Sequence, residues 1–145
     1  MKVSFPYEEK PSAIFRVIKR PVAKVRVWSK KFDRWLEYTM IVDTGADYTL
    51  LPFSKARDLG VDLEKDCQRF VSFGIGGAET VYFLKRKIKI FIGNWERKIP
   101  VGFLEKEDIP PLLGRQGCLD TFDVLFSKFV TYFRIREDPR LRPRG

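Results

Sequence analysis

The stretch MIVDTGADYTLLP, Met40 to Pro52, decides how the rest of the chain is read. An apolar run, Met40-Ile41-Val42, ends in an acidic residue, Asp43, and Thr44, Gly45, Ala46 and Asp47 follow at once. Apolar runs of this length suit a buried strand, whereas Gly and Asp suit turns. The chain therefore carries a carboxylate out of its interior and turns sharply beside it. Gly45 removes a side chain where another backbone could approach, and the Thr44 hydroxyl can hold a loop in place. On its own, Asp-Thr-Gly marks a structural turn more often than a catalytic one.

The sequence around it has the period of two expected of strands. In AIFRVIK (13–19) and AKVRVWS (23–29) apolar and basic residues alternate, so that Val25 and Val27 fall against Lys24 and Arg26. WLEYTMIVD (35–43) delivers Asp43. In TVYFLKRKIKIFIG (80–93), Ile88, Ile90 and Ile92 alternate with Lys87, Lys89 and Phe91, and RKIPVGFL (97–104) and FVTYFRI (129–135) complete the set. Even spacing with turn signals between predicts a mainly β domain, a small closed barrel. Two helices are expected: a short one over 53–59, between Pro52 and Gly60, and a C-terminal one over 117–126. Residues 1–12, with Pro6 and Pro11, are expected to form an N-terminal arm. Residues 13–136 form the domain, and 137–145, with Pro139 and Pro143, a basic C-terminal tail.

Composition excludes several classes. A chain of 145 residues with 44% hydrophobic and 32% charged residues makes one globular core. No apolar run approaches the ~20 residues of a membrane span, and the N-terminus has no apolar core of a signal peptide. No membrane contact is expected. With two distant cysteines, Cys67 and Cys118, and no histidine, neither a zinc site nor a His-dependent triad can be built. No metal or cofactor is expected, and a reducing, cytoplasmic location is the default. The net charge of +9, from 28 Lys and Arg against 19 Asp and Glu, favours acidic partners through non-specific attraction. No helix-turn-helix, zinc finger or RNP motif accompanies it, so a solvated basic surface is the simpler reading and nucleic acid is not expected as a partner.

Two further motifs stand out. Phe73-Gly74-Ile75-Gly76-Gly77-Ala78 lies between β-like runs, where glycines suit a hairpin tip or a mobile lid. It has the spacing of neither a dinucleotide fingerprint nor a P-loop. Pro111-Leu112-Leu113-Gly114-Arg115 reads as a buried strand that delivers an Arg to a fixed place.

In this order, Asp-Thr-Gly-Ala-Asp, the Gly-Ile-Gly-Gly hairpin and Leu-Leu-Gly-Arg, the chain resembles the retropepsin-like (retroviral-type) aspartic proteases over about residues 15–135. The resemblance implies an acid-protease barrel and an aspartic endopeptidase that needs no cofactor. In that chemistry two carboxylates about 3 Å apart share one proton, one activating a water while the other polarises the scissile carbonyl. This chain has a single Asp-Thr-Gly, and Asp120-Thr121-Phe122 lacks the glycine. The resemblance therefore implies a homodimer, with Asp43 of each subunit meeting on a two-fold axis and the terminal strands interleaving with the partner's. It implies that Asp43 is catalytic, that Thr44 bonds across the dimer, and that Gly45 and Asp47 hold the backbone of a polypeptide substrate. Ala46 and Leu112 would wall side-chain pockets, and Gly74, Ile75, Gly76 and Gly77 would form a flap. Arg115 would pair with Asp47 and brace the loop. Tyr48, Pro110-Pro111 and the longer ends depart from the viral pattern, and the arms, the basic charge and the absence of viral polyprotein context suggest a cellular prokaryotic-type member. The alternative is a catalytically silent dimeric binding or scaffold module on the same fold.

Overall fold

The computed structural model describes residues 2–74 and 77–135. The alternating runs become strands of one nine-stranded sheet. Its order is β10 (Trp95–Ile99), β9 (Ile88–Ile92), β4 (Val22–Ser29), β5 (Arg34–Val42), β12 (Leu112–Leu113), β6 (Thr49–Pro52), β11 (Val101–Leu104), β8 (Gly77–Leu84) and β7 (Cys67–Gly74). Neighbours are antiparallel except β12 with β5 and β11 with β6. The inward residues are those that the alternation marks: Val25, Val27, Met40, Val42, Ile88, Ile90 and Ile92 are all buried. The outward residues of β4 include the charged Lys24 and Arg26, and one of them stacks: the Arg26 guanidinium lies 4.8 Å from the centre of Phe91 and donates to the Gly93 carbonyl.

Two smaller sheets complete the chain. β1 (Lys2–Pro6) pairs with β14 (Val130–Ile135), which pairs with β13 (Phe122–Ser127), and β2 (Glu8–Ser12) forms a hairpin with β3 (Arg16–Arg20). Residues 2–12, read from sequence as an arm, are thus strands, and β1 pairs with β14 of its own chain. The tail over 137–145 lies outside the described residues.

Two expectations are corrected. The barrel is not closed: among the described residues β10 and β7 end the ladder and do not pair with one another. The expected C-terminal helix over 117–126 is instead one 3-10 turn, Leu119–Thr121, and then β13. Its apolar residues fit either period. The choice falls to the strand because Lys128 and Phe129 turn the chain tightly, at φ 49° and 63°, and pair 122–127 with 130–135. Phe122 and Phe133 then pack edge to face in the core. The α-helix expected over 53–59 is present as α1, Ser54–Asp58, with Gly60 at φ 76° just beyond it. Among the described residues no helix is long and apolar enough to cross a membrane.

Both cysteines are buried thiols. Burial pushes Cys118 up to about 12. Cys67 goes to about 11, through burial and then the charges of Asp66 and Asp62. Burial, helped by Asp58, raises Tyr38 to about 12. All three are neutral acids held neutral by the fold. Their stability is intact below the ordinary thiol value near 9 and is lost as pH rises toward 11 and 12. Urea midpoints should therefore fall across that alkaline window, and at neutral pH a thiol reagent should modify neither cysteine until the protein is unfolded. Rapid labelling of the native protein would contradict the burial.

Candidate active site

The apolar strand β5 ends at Val42, and residues 43–48 form the loop that joins it to β6. Between these two strands lies β12, parallel to β5 and antiparallel to β6. The carboxylate loop thus arches over a strand that arrives from much later in the chain. The Asp43 N–H donates to the Leu113 carbonyl at 3.1 Å, and Ile41 N–H to Pro111 at 2.9 Å. Beyond β12 the pattern reverses. The Arg115 and Gln116 N–H groups donate to the carbonyls of Ala46 and Asp47, at 3.0 and 2.8 Å. The loop is held from both sides by one short segment.

Gly114 sits at the crossing and is buried. A Cβ there would lie 2.3 Å from the carbonyl carbon and oxygen of Tyr48. Its N–H donates to Thr49 Oγ1 at 3.1 Å, and Thr49 is 1% exposed. Sequence reasoning missed Thr49. Its signal was a lone hydroxyl entering an apolar strand, where a buried polar atom needs a partner.

The Asp43 side chain is half-buried, with Thr44 and Gly45 exposed beside it. Gly45 N–H donates to Asp43 Oδ1 at 3.0 Å, which fixes the carboxylate against its own loop. The Ala46 N–H closes the turn on the Asp43 carbonyl. A Cβ on Gly45 would meet the same Oδ1 at 3.3 Å. Asp43, Thr44, Gly45, Ala46 and Asp47 therefore occupy one ordered, solvent-facing turn.

Arg115 forms an ion pair with Asp47, as expected of the brace. The pair is not deeply buried, with side chains 43% and 73% exposed, and Arg115 Nε is buried without a hydrogen-bond partner among the described residues. The ion pair alone is worth at most about 1 kcal/mol. Arg115→Ala is expected to lower the urea midpoint only slightly while loosening the 43–48 loop. A large loss of global stability would show that Arg115 does more than brace. Burial, with the Asp47 charge adding to it, raises the Tyr48 hydroxyl, and its ring meets Phe83 of β8 edge to face at 5.0 Å.

The Gly-rich motif is the tip of the β7–β8 hairpin, with Gly74 opposite Gly77 and Gly77 at φ 104°. Ile75 and Gly76 lie outside the described residues. Phe73 on this hairpin is 82% exposed. Leu112 pairs with Ile41 and Leu50, next to the loop. An open cavity of about 540 Å³ adjoins them, with Ile41, Ile109 and Pro111 at its apolar side. Glu8, Lys10 and Arg20 of the β2–β3 hairpin close its outer side. Sequence reasoning missed these three residues, because hairpin pairing places Glu8 opposite Arg20 and no motif signals it.

An apolar strand that ends in a carboxylate turn, a second strand threaded beneath it and a glycine hairpin are the elements of an aspartyl protease fold. Residues 25–116 match the sequence model of a family described as aspartyl protease, and the chain belongs to that family. Its fold is retropepsin-like: it is similar to a retropepsin-like aspartic protease from Rickettsia conorii, at a TM-score of 0.63 and 18% identity over 91% of this chain and 98% of that one. A second similar structure is the EIAV protease complexed with the inhibitor HBY-793, at a TM-score of 0.47 and 20% identity over 67% and 83% of the two chains. No curated protein matches the chain in sequence.

Proposed function

We propose that the protein is an aspartic endopeptidase whose dyad is completed by dimerisation, Asp43 of each of two subunits meeting across a two-fold axis. The observation that carries this reading is the Asp43 turn itself. One Asp-Thr-Gly per chain is held by backbone hydrogen bonds at 2.8 to 3.2 Å, with its carboxylate at the surface. Such rigidity suits a group that must meet its twin within a narrow tolerance.

In the assembled dyad one carboxylate takes a proton from water as the water attacks the scissile carbonyl. The other, protonated, donates to the carbonyl oxygen; the first then passes its proton to the amine nitrogen as the C–N bond breaks, and the second recovers its own as the carbonyl re-forms. The two groups titrate as a pair. Thr44 ties the two loops together, and Gly45 and Asp47 receive the substrate backbone. Ala46 and Leu112 flank side-chain pockets, and the cavity along Ile41 takes a side chain near the cleaved bond. Gly74 to Gly77 close over the peptide and exclude water. Because β1 is already paired within its own chain, the partner is met along the outer edges of the terminal sheet rather than by exchange of β1.

The test is sedimentation of the purified chain beside cleavage of a peptide library in mildly acidic solution. A dimer that cuts extended peptides supports the reading. A stable dimer that cuts nothing would shift it to a binding module, and a monomer that cuts would overturn the shared dyad.

A further inference from the structure

The β2–β3 hairpin carries a feature that peptide hydrolysis does not use. Its apex, between Ser12 and Arg16, exposes two large apolar side chains: Ile14 is 82% exposed and Phe15 71%. This is not a loose loop. Ser12 Oγ accepts the N–H groups of both Ile14 and Phe15, at 3.2 and 3.1 Å, and Arg16 sits at φ 65° to turn the chain back. The apolar pair is therefore held outward by the turn.

The charges around it have one sign. From Lys10 to Phe32 the sequence holds eight cations and no carboxylate, within a chain of net charge +9. The acidic residues Glu8 and Glu9 lie at the base, opposite Arg20 and Lys19. Lys10 pairs with Glu8 at 2.9 Å, and nearer the apex Arg16 lies opposite Ser12 rather than an acid. The patch continues sideways: the Lys19 ammonium lies 4.2 Å over the ring of Phe129, itself 59% exposed and next to Lys128.

We propose that this hairpin apex docks the protein on an anionic lipid surface, with Ile14 and Phe15 entering the headgroup region and the ring of cations pairing with lipid phosphates and carboxylates. A convex tip of two side chains offers far less than the ~800 Å² per partner of a stable protein interface. Single-stranded nucleic acid is bound by stacking of successive bases on aromatic faces, and the apex offers one such ring, Phe15, beside the aliphatic Ile14. A bilayer interface accepts apolar side chains without matching their shape, and each Lys or Arg near an anionic surface adds to the binding. Contact of this kind needs no spanning segment.

The experiment is co-sedimentation of the full chain with phosphatidylcholine vesicles, with and without phosphatidylserine. Binding about tenfold tighter to the anionic vesicles is expected, falling with added salt. Ile14→Ser with Phe15→Ser should weaken it about tenfold, with melting temperature and sedimentation coefficient unchanged. Because these positions are exposed, the variant should fold. If it does not, Arg16→Glu with Lys19→Glu should remove binding instead. Failure to bind anionic vesicles, or wild-type binding by both variants, overturns the proposal. So does single-stranded RNA displacing the vesicles with equal loss in the Ile14/Phe15 variant, or that variant changing from dimer to monomer.

Discussion

Asp43→Asn is expected to lower peptide hydrolysis by about 10³-fold or more, since general acid–base catalysis of this kind supplies roughly 10²–10⁴-fold and the substitution removes both dyad members at once. An amide can accept the Gly45 N–H through its oxygen, so the 3.0 Å bond that orders the turn survives. Asp43 is only half-buried in the single chain, so its fold should not suffer, and an amide in its place brings no like charge to the two-fold axis, so the dimer should persist. Initial rates on a cleaved peptide, beside sedimentation of both proteins, decide it. A variant that still cuts at the wild-type rate would remove Asp43 from the chemistry.

The second large effect is on folding. Gly114→Ala places a methyl group 2.3 Å from the Tyr48 carbonyl, in a backbone held at both ends by hydrogen bonds. Unlike a clash with a flexible side chain, this cannot be relieved without moving the loop or β12. A cost of about 4 kcal/mol or more is expected, a large share of the 5–15 kcal/mol that holds a domain of this size. Chemical denaturation measures it, and a variant within about 1 kcal/mol of wild type would show that the crossing yields. Gly114→Ala and Asp43→Asn should thus separate: one destabilises the fold, the other leaves it folded and inactive.

The strand that delivers Asp43 was legible because Met40, Ile41 and Val42 are a short apolar run closed by turn residues, and the structure ends β5 at Val42. The inward set Ile88, Ile90 and Ile92 was legible for the same reason: charge marks the outward positions. The terminal hairpin was not. Its turn, Lys128–Phe129, has positive φ at both residues and neither Gly nor Asn to announce it, so 122–126 could be read as a helix. Whether the sheet closes depends on which edges meet in space, and local alternation carries no information on that. For the site, Asp43, Gly45 and Arg115 could be singled out, and Arg115 does meet Asp47. The reason for Gly114 could not: the atom that excludes a side chain there belongs to Tyr48, and only the threading of β12 brings them together.

That threading also sets a clock. The loop bearing Asp43 is fastened by residues that lie 65 and 68 positions further along the chain, at the Thr49–Gly114 and Asp47–Arg115 contacts. Closing so long a loop is an entropic cost met late in folding. During synthesis, from the N-terminus onward, β4 and β5 can pair while the Asp43 turn still has nothing beneath it. The carboxylate turn is therefore ordered only once residues 114 and 115 have emerged, well after the strand that carries it, and only the terminal sheet of β1, β13 and β14 waits longer.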